Sequence, residues 1–176
     1  MPHIHTEANQ FDHTVSCFIV KRNPRTVLFH KHKVLGIWLQ PGGHIELDEH
    51  PWSTVSHELE EETGYNLSQL EVLQVAPVIP GLTETIHPTP ISFRSHEFPG
   101  AKSTHYHTDA AFGFVANDDP KGEPGEGEST VLHWFTADEL EQLSADEIAA
   151  DARVIALHLL RNIDDYLSIP AESFPH

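Results

Sequence analysis

Residues 51–63 form the segment that most constrains how this chain can fold. Pro51 suits the first turn of a helix, and Gly64 suits the position just past its end. At about 100° per residue, a helix over this segment carries one apolar stripe, which consists of Trp52, Val55 and Leu59. We therefore predict a helix that packs its apolar stripe against a sheet.

A second face of the same helix is acidic. Glu58 and Glu62 are four residues apart and Glu61 is three residues from Glu58, so these carboxylates converge. Like charges at this spacing destabilise a helix by about 0.2–0.5 kcal/mol per pair unless a cation neutralises them. Because the ligands are all oxygens, that cation is expected to be Mg²⁺ or Mn²⁺. From the glutamates alone, a metal-binding face and a solvated acidic face fit the sequence equally well.

The residues before the helix favour the metal-binding interpretation. The turn Pro41-Gly42-Gly43 allows a backbone carbonyl to approach the same metal, which a bulky side chain would hinder. Glu49 comes just before the helix, where a carboxylate interacts with exposed backbone amides. The turn, this glutamate and the acidic face together make one pattern.

The charge of the chain limits its partners. The 176 residues include 10 Lys and Arg against 27 Asp and Glu, which gives a formal net charge of −17. A basic surface for duplex nucleic acid or an anionic membrane is therefore not expected. A substrate that carries phosphates would need bound cations to bridge it to so acidic a protein.

The sequence carries one cysteine, Cys17, in the apolar run of residues 15–20. A single cysteine cannot form an internal disulfide, so secretion is not indicated. The first 13 residues lack the basic start and apolar run of a signal peptide, and no apolar run approaches the ~20 residues of a membrane span. We expect a cytoplasmic protein in which Cys17 is a small buried core residue.

The rest of the chain indicates one mixed α/β domain over residues 1–176. Apolar runs rich in β-branched residues predict strands at residues 15–20, 26–29, 71–78, 89–96, 110–116 and 131–135. Asn23-Pro24-Arg25 predicts a hairpin turn between the first two strands. Further helices are predicted to start at Thr136 and to span residues 146–167, and residues 168–176 are expected to be loosely held.

The segment from the glycine turn to the end of the acidic helix resembles the signature box of the Nudix (MutT-like) hydrolase family. The box positions that match, with the family's spacing, are Gly43, Glu49, Glu58, Leu59, Glu61, Glu62, Gly64 and Tyr65. The box arginine is replaced by His57. Residues 38–43 and the pair Trp134-Phe135 are similar to strands that flank the box. The resemblance suggests a domain core over about residues 11–143, with the helix at about residues 146–167 as a C-terminal extension.

This resemblance implies a fold and an activity. The fold is a Nudix-type α/β/α sandwich with a mixed central sheet and an extra C-terminal helix. The activity is that of a pyrophosphohydrolase that cleaves a phosphoanhydride bond. Glu58 and Glu62 are implied as ligands of Mg²⁺ (or Mn²⁺), with the Gly42 carbonyl beside them.

Three further residues receive roles from the resemblance. Glu61 is implied to complete the metal site or to act as the general base, and Glu58 is counted with it among the catalytic residues. His57 would replace the arginine that orients a box glutamate, although histidine is shorter and only partly charged at neutral pH. Glu128, in a late acidic loop, offers another carboxylate but is expected to be solvated.

The substrate pocket is less constrained by the sequence. His105, His107 and Asp109 alternate along one extended strand and therefore share one face. Three interpretations stay open: a polar pocket wall, a second metal site, or an exposed strand face in a chain with 15 histidines. His44 is a candidate phosphate contact, and Trp38 either stacks on a base or packs in the core.

A small-molecule substrate is expected, namely a nucleoside diphosphate linked to another moiety. Pro80, 15 positions after Tyr65, slightly favours ADP-ribose-like substrates, because a proline near there is associated with them in the family. Two alternatives are a non-catalytic nucleotide-binding sensor and a Nudix-like isoprenoid diphosphate isomerase, which would need Cys17 in its pocket. A capped RNA end is another substrate to consider, and a homodimer is consistent with the family.

Overall fold

The structure is a computed structural model that describes residues 9–99 and 104–176. Within these ranges the strands are β1 (Phe11–Arg22), β2 (Arg25–Lys31), β3 (Trp38–Leu39), β4 (Gly42–His44), β5 (Leu70–Gln74), β6 (Ser92–Pro99), β7 (Thr104–Ala116), β8 (Leu132–Phe135) and β9 (Leu167–Pro170). The α-helices are α1 (Pro51–Thr63), α2 (Ala137–Gln142) and α3 (Ala150–Asn162). Short 3-10 turns span Leu67–Gln69, Ile163–Asp165 and Ala171–Ser173.

The strands form one mixed sheet with a parallel pair at its centre. The main strand order is β3-β2-β1-β7-β5-β9. β1 and β7 run parallel along most of β1, and the other strand pairs are antiparallel. β4 pairs with residues 14–16 of β1, whereas β2 pairs with residues 20–22. The expected mixed sheet is confirmed, and the change of partner places the glycine turn beside the first half of β1.

Helices cover both faces of this sheet. Odd-numbered residues of β1, such as Cys17, face a core to which α1 contributes Trp52, Val55 and Leu59. Even-numbered residues, such as Phe18, face a second core to which α3 contributes Ala156, Leu159 and Leu160. Burial of one large apolar side chain stabilises a fold by about 1.5–3 kcal/mol. The predicted apolar stripe and the expected sandwich with its C-terminal helix are both confirmed.

Local interactions fix both ends of α1. At its start, His50 Nδ1 accepts the Ser53 backbone N–H and Ser53 Oγ accepts the His50 N–H, each at 3.1 Å. At its end, Gly64 has a φ of +74°, which glycine adopts without strain. A Cβ at Gly64 would lie 2.3 Å from the Gly122 carbonyl oxygen. The helix predicted over residues 51–63 is therefore confirmed at both ends.

Several other elements differ in extent from the prediction. β5 ends at Gln74, whereas β7 begins at Thr104 and so includes the alternating histidines. The C-terminal helix begins at Ala150 because Glu147 instead closes a turn by accepting the Ser144 N–H and hydroxyl. Val154, expected on the apolar face of that helix, is exposed. In the described part of the chain, no helix has both the length and the apolar character to cross a membrane.

The prediction that residues 168–176 are loosely held was wrong. β9 pairs with β5 in antiparallel register. Phe174 is only 6% exposed and packs edge-on against Trp52, with 6.0 Å between ring centroids. The segment is ordered because its apolar side chains complete the core that holds α1.

Replacement of Phe174 by alanine is expected to lower the free energy of unfolding by about 3 kcal/mol, because it leaves a cavity against Trp52. Urea denaturation followed by circular dichroism measures the change. Phe93→Ala is the matched control, since Phe93 is 71% exposed and its loss is expected to change stability by about 0.5 kcal/mol at most. Equal stabilities of the two variants would contradict the packing role of Phe174.

Candidate active site and metal centre

A cavity of 770 Å³ opens between α1, the glycine turn and the sheet. The sequence-predicted site residues that line it are Gly42, His44, Glu58, Glu61, Glu62, His107 and Asp109. Glu128, which was expected to be solvated, is half-buried and also lines it. The fold therefore brings most of the candidate residues to one place.

Glu58 and Glu62 are the buried carboxylates that α1 contributes to this cavity. Their exposed fractions are 4% and 9%. The Gly42 backbone N–H donates to Glu62 Oε2 at 2.8 Å, which ties the glycine turn to α1. A Cβ at Gly43 would lie 2.0 Å from Glu58 Oε1, so a residue larger than glycine would displace this carboxylate. The glycine turn and the two glutamates are thus fitted to each other.

The electrostatics of the two glutamates suit a bound cation. The pKa of Glu58 is raised to about 7 and that of Glu62 to about 8, chiefly by burial, with smaller contributions from neighbouring carboxylates: Glu61 acts on Glu58, and Glu58 acts on Glu62. Glu58 Oε1 is buried and has no hydrogen-bond partner among the described residues. A buried carboxylate oxygen without a donor is destabilising unless a cation pairs with it. These residues therefore fit a divalent metal ion with oxygen ligands, as the acidic face predicted.

His30 lies behind Glu62 and was missed by the sequence analysis. Its Nδ1 is 3.7 Å from Glu62 Oε1, and the side chain is almost fully buried. Burial lowers the pKa of His30 to about 4, so the imidazole is neutral at pH 7. The neutral His30 carries no charge that could neutralise the glutamates, so a bound metal ion would have to do so. His30 directly follows the strand predicted at residues 26–29, and no sequence pattern indicated its contact with Glu62.

His57 links Glu61, which lines the cavity, to Glu49. Its Nε2 is 3.0 Å from Glu61 Oε1, and its Nδ1 is 3.4 Å from Glu49 Oε1. Burial acts to lower the pKa of His57, but the hydrogen bond to Glu61 and the charges of both acids outweigh burial and raise the pKa. The protonated imidazole then supplies part of the positive charge that an arginine would supply. Its position fits the expected orienting role, which stays a prediction.

The loop between β7 and β8 docks on the end of α1. The Gly125 backbone N–H donates to the Glu61 carbonyl at 2.7 Å, and the Gly122 N–H donates to the Gly64 carbonyl at 3.1 Å. These bonds satisfy helix-end carbonyls that have no partner within α1. They also hold the loop so that Glu128 borders the cavity.

Asp109 forms a polar network in the part of the cavity wall that belongs to β1, β6 and β7. Its Oδ1 accepts the hydroxyls of Thr14 and Ser16, each at 2.9 Å. Arg94 Nη2 lies 3.2 Å from Asp109 Oδ2 and 2.9 Å from Asp151 Oδ2. No sequence pattern indicated Arg94, because its place beside Asp109 depends on the pairing of β6 with β7.

The remaining predicted site residues lie outside the cavity lining. His105 is buried and lies beside Asp12, not beside Asp109. Trp38 packs edge-on against Phe135, with 5.0 Å between ring centroids, as the core-packing alternative predicted. Cys17 is fully buried in the core, and burial raises the pKa of its thiol. The isomerase alternative therefore has no cysteine at this cavity.

Comparison with known proteins decides the family. The NUDIX domain model matches residues 11–158. This chain belongs to the Nudix family. A solved NUDIX-family hydrolase from Clostridium perfringens is 27% identical to it and covers 86% of this chain and 97% of its own, with a TM-score of 0.70. The prediction of a Nudix hydrolase is thus confirmed at the level of the family.

Two other relatives carry more specific names. The m7GpppN-mRNA hydrolase NUDT17 of Danio rerio is 44% identical over 52 residues, which are 30% of this chain and 16% of that protein. This Nudix chain therefore matches only a small part of that relative. The NUDIX domain of Shewanella oneidensis NrtR, solved in complex with ADP ribose, is 16% identical over 90% of each chain, with a TM-score of 0.59. At this identity the likeness shows the fold alone.

Glu62→Gln is expected to change how the stability of the metal-free protein depends on pH. The folded protein holds protons on Glu58 and Glu62 that the unfolded chain, with a pKa of 4.5, has released. The free energy of unfolding therefore falls as pH rises from about 5 to about 8. Glutamine removes one titrating carboxylate, and its amide can donate to His30 Nδ1. We expect the variant to lose roughly 1–3 kcal/mol less than the wild type across this window.

Urea denaturation in EDTA at several pH values measures this difference. Glu60→Gln is the matched control, because Glu60 lies on the same helix and is exposed. Its pH profile is expected to follow the wild type. Parallel profiles for Glu62→Gln and the wild type would show that Glu62 carries no raised pKa.

Proposed function

We propose that this Nudix protein is a metal-dependent enzyme that hydrolyses the phosphoanhydride bond of a nucleoside diphosphate linked to another moiety. The observation that carries the proposal is the fit between the buried Glu58 and Glu62 and the glycine turn, at the edge of a large cavity. The cavity volume lies within the range of about 300–1,000 Å³ that is usual for small-molecule sites.

Glu58 and Glu62 would hold Mg²⁺ (or Mn²⁺), with the Gly42 carbonyl beside them. The bound metal supplies charge neutralisation for the diphosphate and lowers the pKa of an attacking water. Glu61 borders the cavity and is about half exposed, so it can accept the proton of that water. His57 holds the Glu61 carboxylate in place, and Glu49 in turn holds His57.

Side chains that β4, β6 and β7 contribute to the cavity support binding of an anionic nucleotide. His44 and His107 line it and can donate hydrogen bonds to phosphate oxygens. Arg94 also lines it, although two aspartates share its charge. The exposed side chains of Val34 and Leu35 border the cavity and offer apolar surface to a base. The acidic remainder of the protein does not favour duplex nucleic acid.

ADP-ribose is the first substrate to test. The Shewanella oneidensis domain of the same fold was solved with ADP ribose, and this supports the choice. The Danio rerio relative is an m7GpppN-mRNA hydrolase, so a cap analogue is the second compound. Pro80, the sequence feature that favoured ADP-ribose, is exposed and is not among the residues that line the cavity. The preference therefore depends on the fold relative and not on this proline. A cytoplasmic location and a homodimer stay part of the proposal.

We expect Mg²⁺-dependent release of phosphate, after phosphatase treatment, from at least one compound of a panel that includes ADP-ribose and a cap analogue. Glu62→Gln is expected to lower kcat by about 10²–10³-fold, because it removes a charged metal ligand. The exposed Glu60→Gln serves as the control and should keep wild-type activity. Tight nucleotide binding without any turnover would instead favour the sensor alternative.

A second substitution tests the orienting histidine. His57→Ala is expected to lower kcat about 10–100-fold, because Glu61 loses the group that holds it. His57→Arg should keep most of the activity, since a guanidinium can reach the same two carboxylates. Steady-state kinetics on the best compound of the panel make the comparison. Full activity of His57→Ala would remove His57 from the mechanism.

A further inference from the structure

A second group of metal-ligand side chains lies on β1 and β7, apart from the glutamates of α1. In the parallel β1–β7 pair, Asp12 is the partner of His107. His105 lies two residues before His107, so both imidazoles share one face of the strand. One ligand atom of each of the three residues lies within 4.8 Å of the others. The strand register alone therefore assembles two imidazoles and one carboxylate.

These three side chains are removed from solvent. Asp12 and His105 are each 1% exposed, and His107 is 7% exposed. His105 Nε2 lies 3.7 Å from Asp12 Oδ2, and His44 Nε2 lies 3.9 Å from the same oxygen. A carboxylate this deeply buried requires positive charge or donors around it. A divalent cation bound by these side chains would place positive charge beside this carboxylate.

The ligand types select a different ion from that of the glutamate site. Two nitrogens and one oxygen match the donor sets of zinc and of neighbouring divalent transition metals, whereas all-oxygen sites suit Mg²⁺. Ligands about 2.0–2.1 Å from a tetrahedral ion are about 3.3–3.4 Å apart. The distance of 3.7 Å between His105 and Asp12 is thus within a small side-chain rotation of coordination.

The second metal site considered from the sequence had Asp109 as its carboxylate ligand. In the structure a different carboxylate lies beside the two histidines. Asp109 accepts hydrogen bonds from Thr14 and Ser16 and pairs with Arg94. The carboxylate that joins the two histidines is Asp12, from a strand almost 100 positions earlier in the sequence.

We propose that Asp12, His105 and His107 bind one divalent transition-metal ion, with zinc as the reference case, at a site distinct from the Glu58–Glu62 centre. His107 also lines the cavity, so the ion would lie in the cavity wall. Its charge would act on an anionic substrate bound in the cavity. The site does not depend on the proposed hydrolysis, because none of its ligands belongs to the Nudix box.

The test is a zinc-binding measurement on the full chain without an affinity tag. The chain is stripped with a chelator, loaded with Zn²⁺ in excess Mg²⁺ and analysed for bound zinc after gel filtration. We expect one tightly bound zinc in the wild type and at least roughly tenfold weaker binding in Asp12→Asn and His105→Asn. Two controls should retain it: His13→Asn, at the exposed neighbour of Asp12, and the double variant Glu58→Gln/Glu62→Gln.

Each deviation from this pattern overturns the proposal. Absence of bound zinc in the wild type, or unchanged affinity in Asp12→Asn and His105→Asn, shows that the cluster is a hydrogen-bonded polar core. Loss of zinc in the double glutamine variant assigns the ion to the glutamate site. If the cluster variants do not fold, zinc X-ray absorption on the double glutamine variant decides: scattering from two imidazoles supports the site, and its absence rejects it. This test measures bound zinc and not substrate turnover. A negative result would therefore leave the proposed hydrolysis unaffected.

Discussion

The parallel pairing of β1 with β7 is the contact on which the rest of this structure depends. Beyond Val15 the two strands present apolar side chains to the cores on both sides of the sheet. In the first halves of the two strands, the same register places polar residues side by side. Asp12 is the partner of His107, and Thr14 is the partner of Asp109. One pair of strands thus forms both the centre of the hydrophobic core and one wall of the cavity.

The helix α1 borders the same cavity, and its buried glutamates destabilise it. Glu58 and Glu62 are buried four residues apart, and burial raises the pKa of both. The apolar stripe on the other side of α1 holds the helix in place, and Trp52 in turn is covered by Phe174. Apolar packing therefore keeps two acids in a position that they would not adopt alone. This combination is common where a site is arranged for a ligand and not for stability.

The sequence predicted what depends on local spacing and missed what depends on distant pairing. The limits of α1 followed from Pro51 and Gly64, and the convergence of its glutamates followed from helical geometry. The alternation of residues 105–109 correctly placed three polar side chains on one face. Their actual neighbours depend on strand order, which no short pattern encodes. The contacts of Asp12 and Arg94 could therefore be recognised only from the strand pairing in the structure.

The C-terminal segment was missed for the same physical reason. Its few apolar residues show no regular period, so the sequence resembled a solvated tail. In the structure Phe174 contacts Trp52, a residue far away in sequence, and β9 extends the sheet beside β5. The partners of such residues are set by the shape of the finished core. Sequence periodicity carries little information about them.

The docking of the β7–β8 loop on the end of α1 has an evolutionary consequence. The loop is attached through backbone hydrogen bonds to the Gly64 and Glu61 carbonyls, and the close approach of Gly122 to Gly64 is the contact that restricts side-chain identity. Mutations and short insertions can accumulate in the loop while the helix and its glutamates stay unchanged. The half-buried Glu128 belongs to this loop and lines the cavity, so a change in the loop can alter its position there. The lining of the cavity can therefore vary through this loop without alteration of α1.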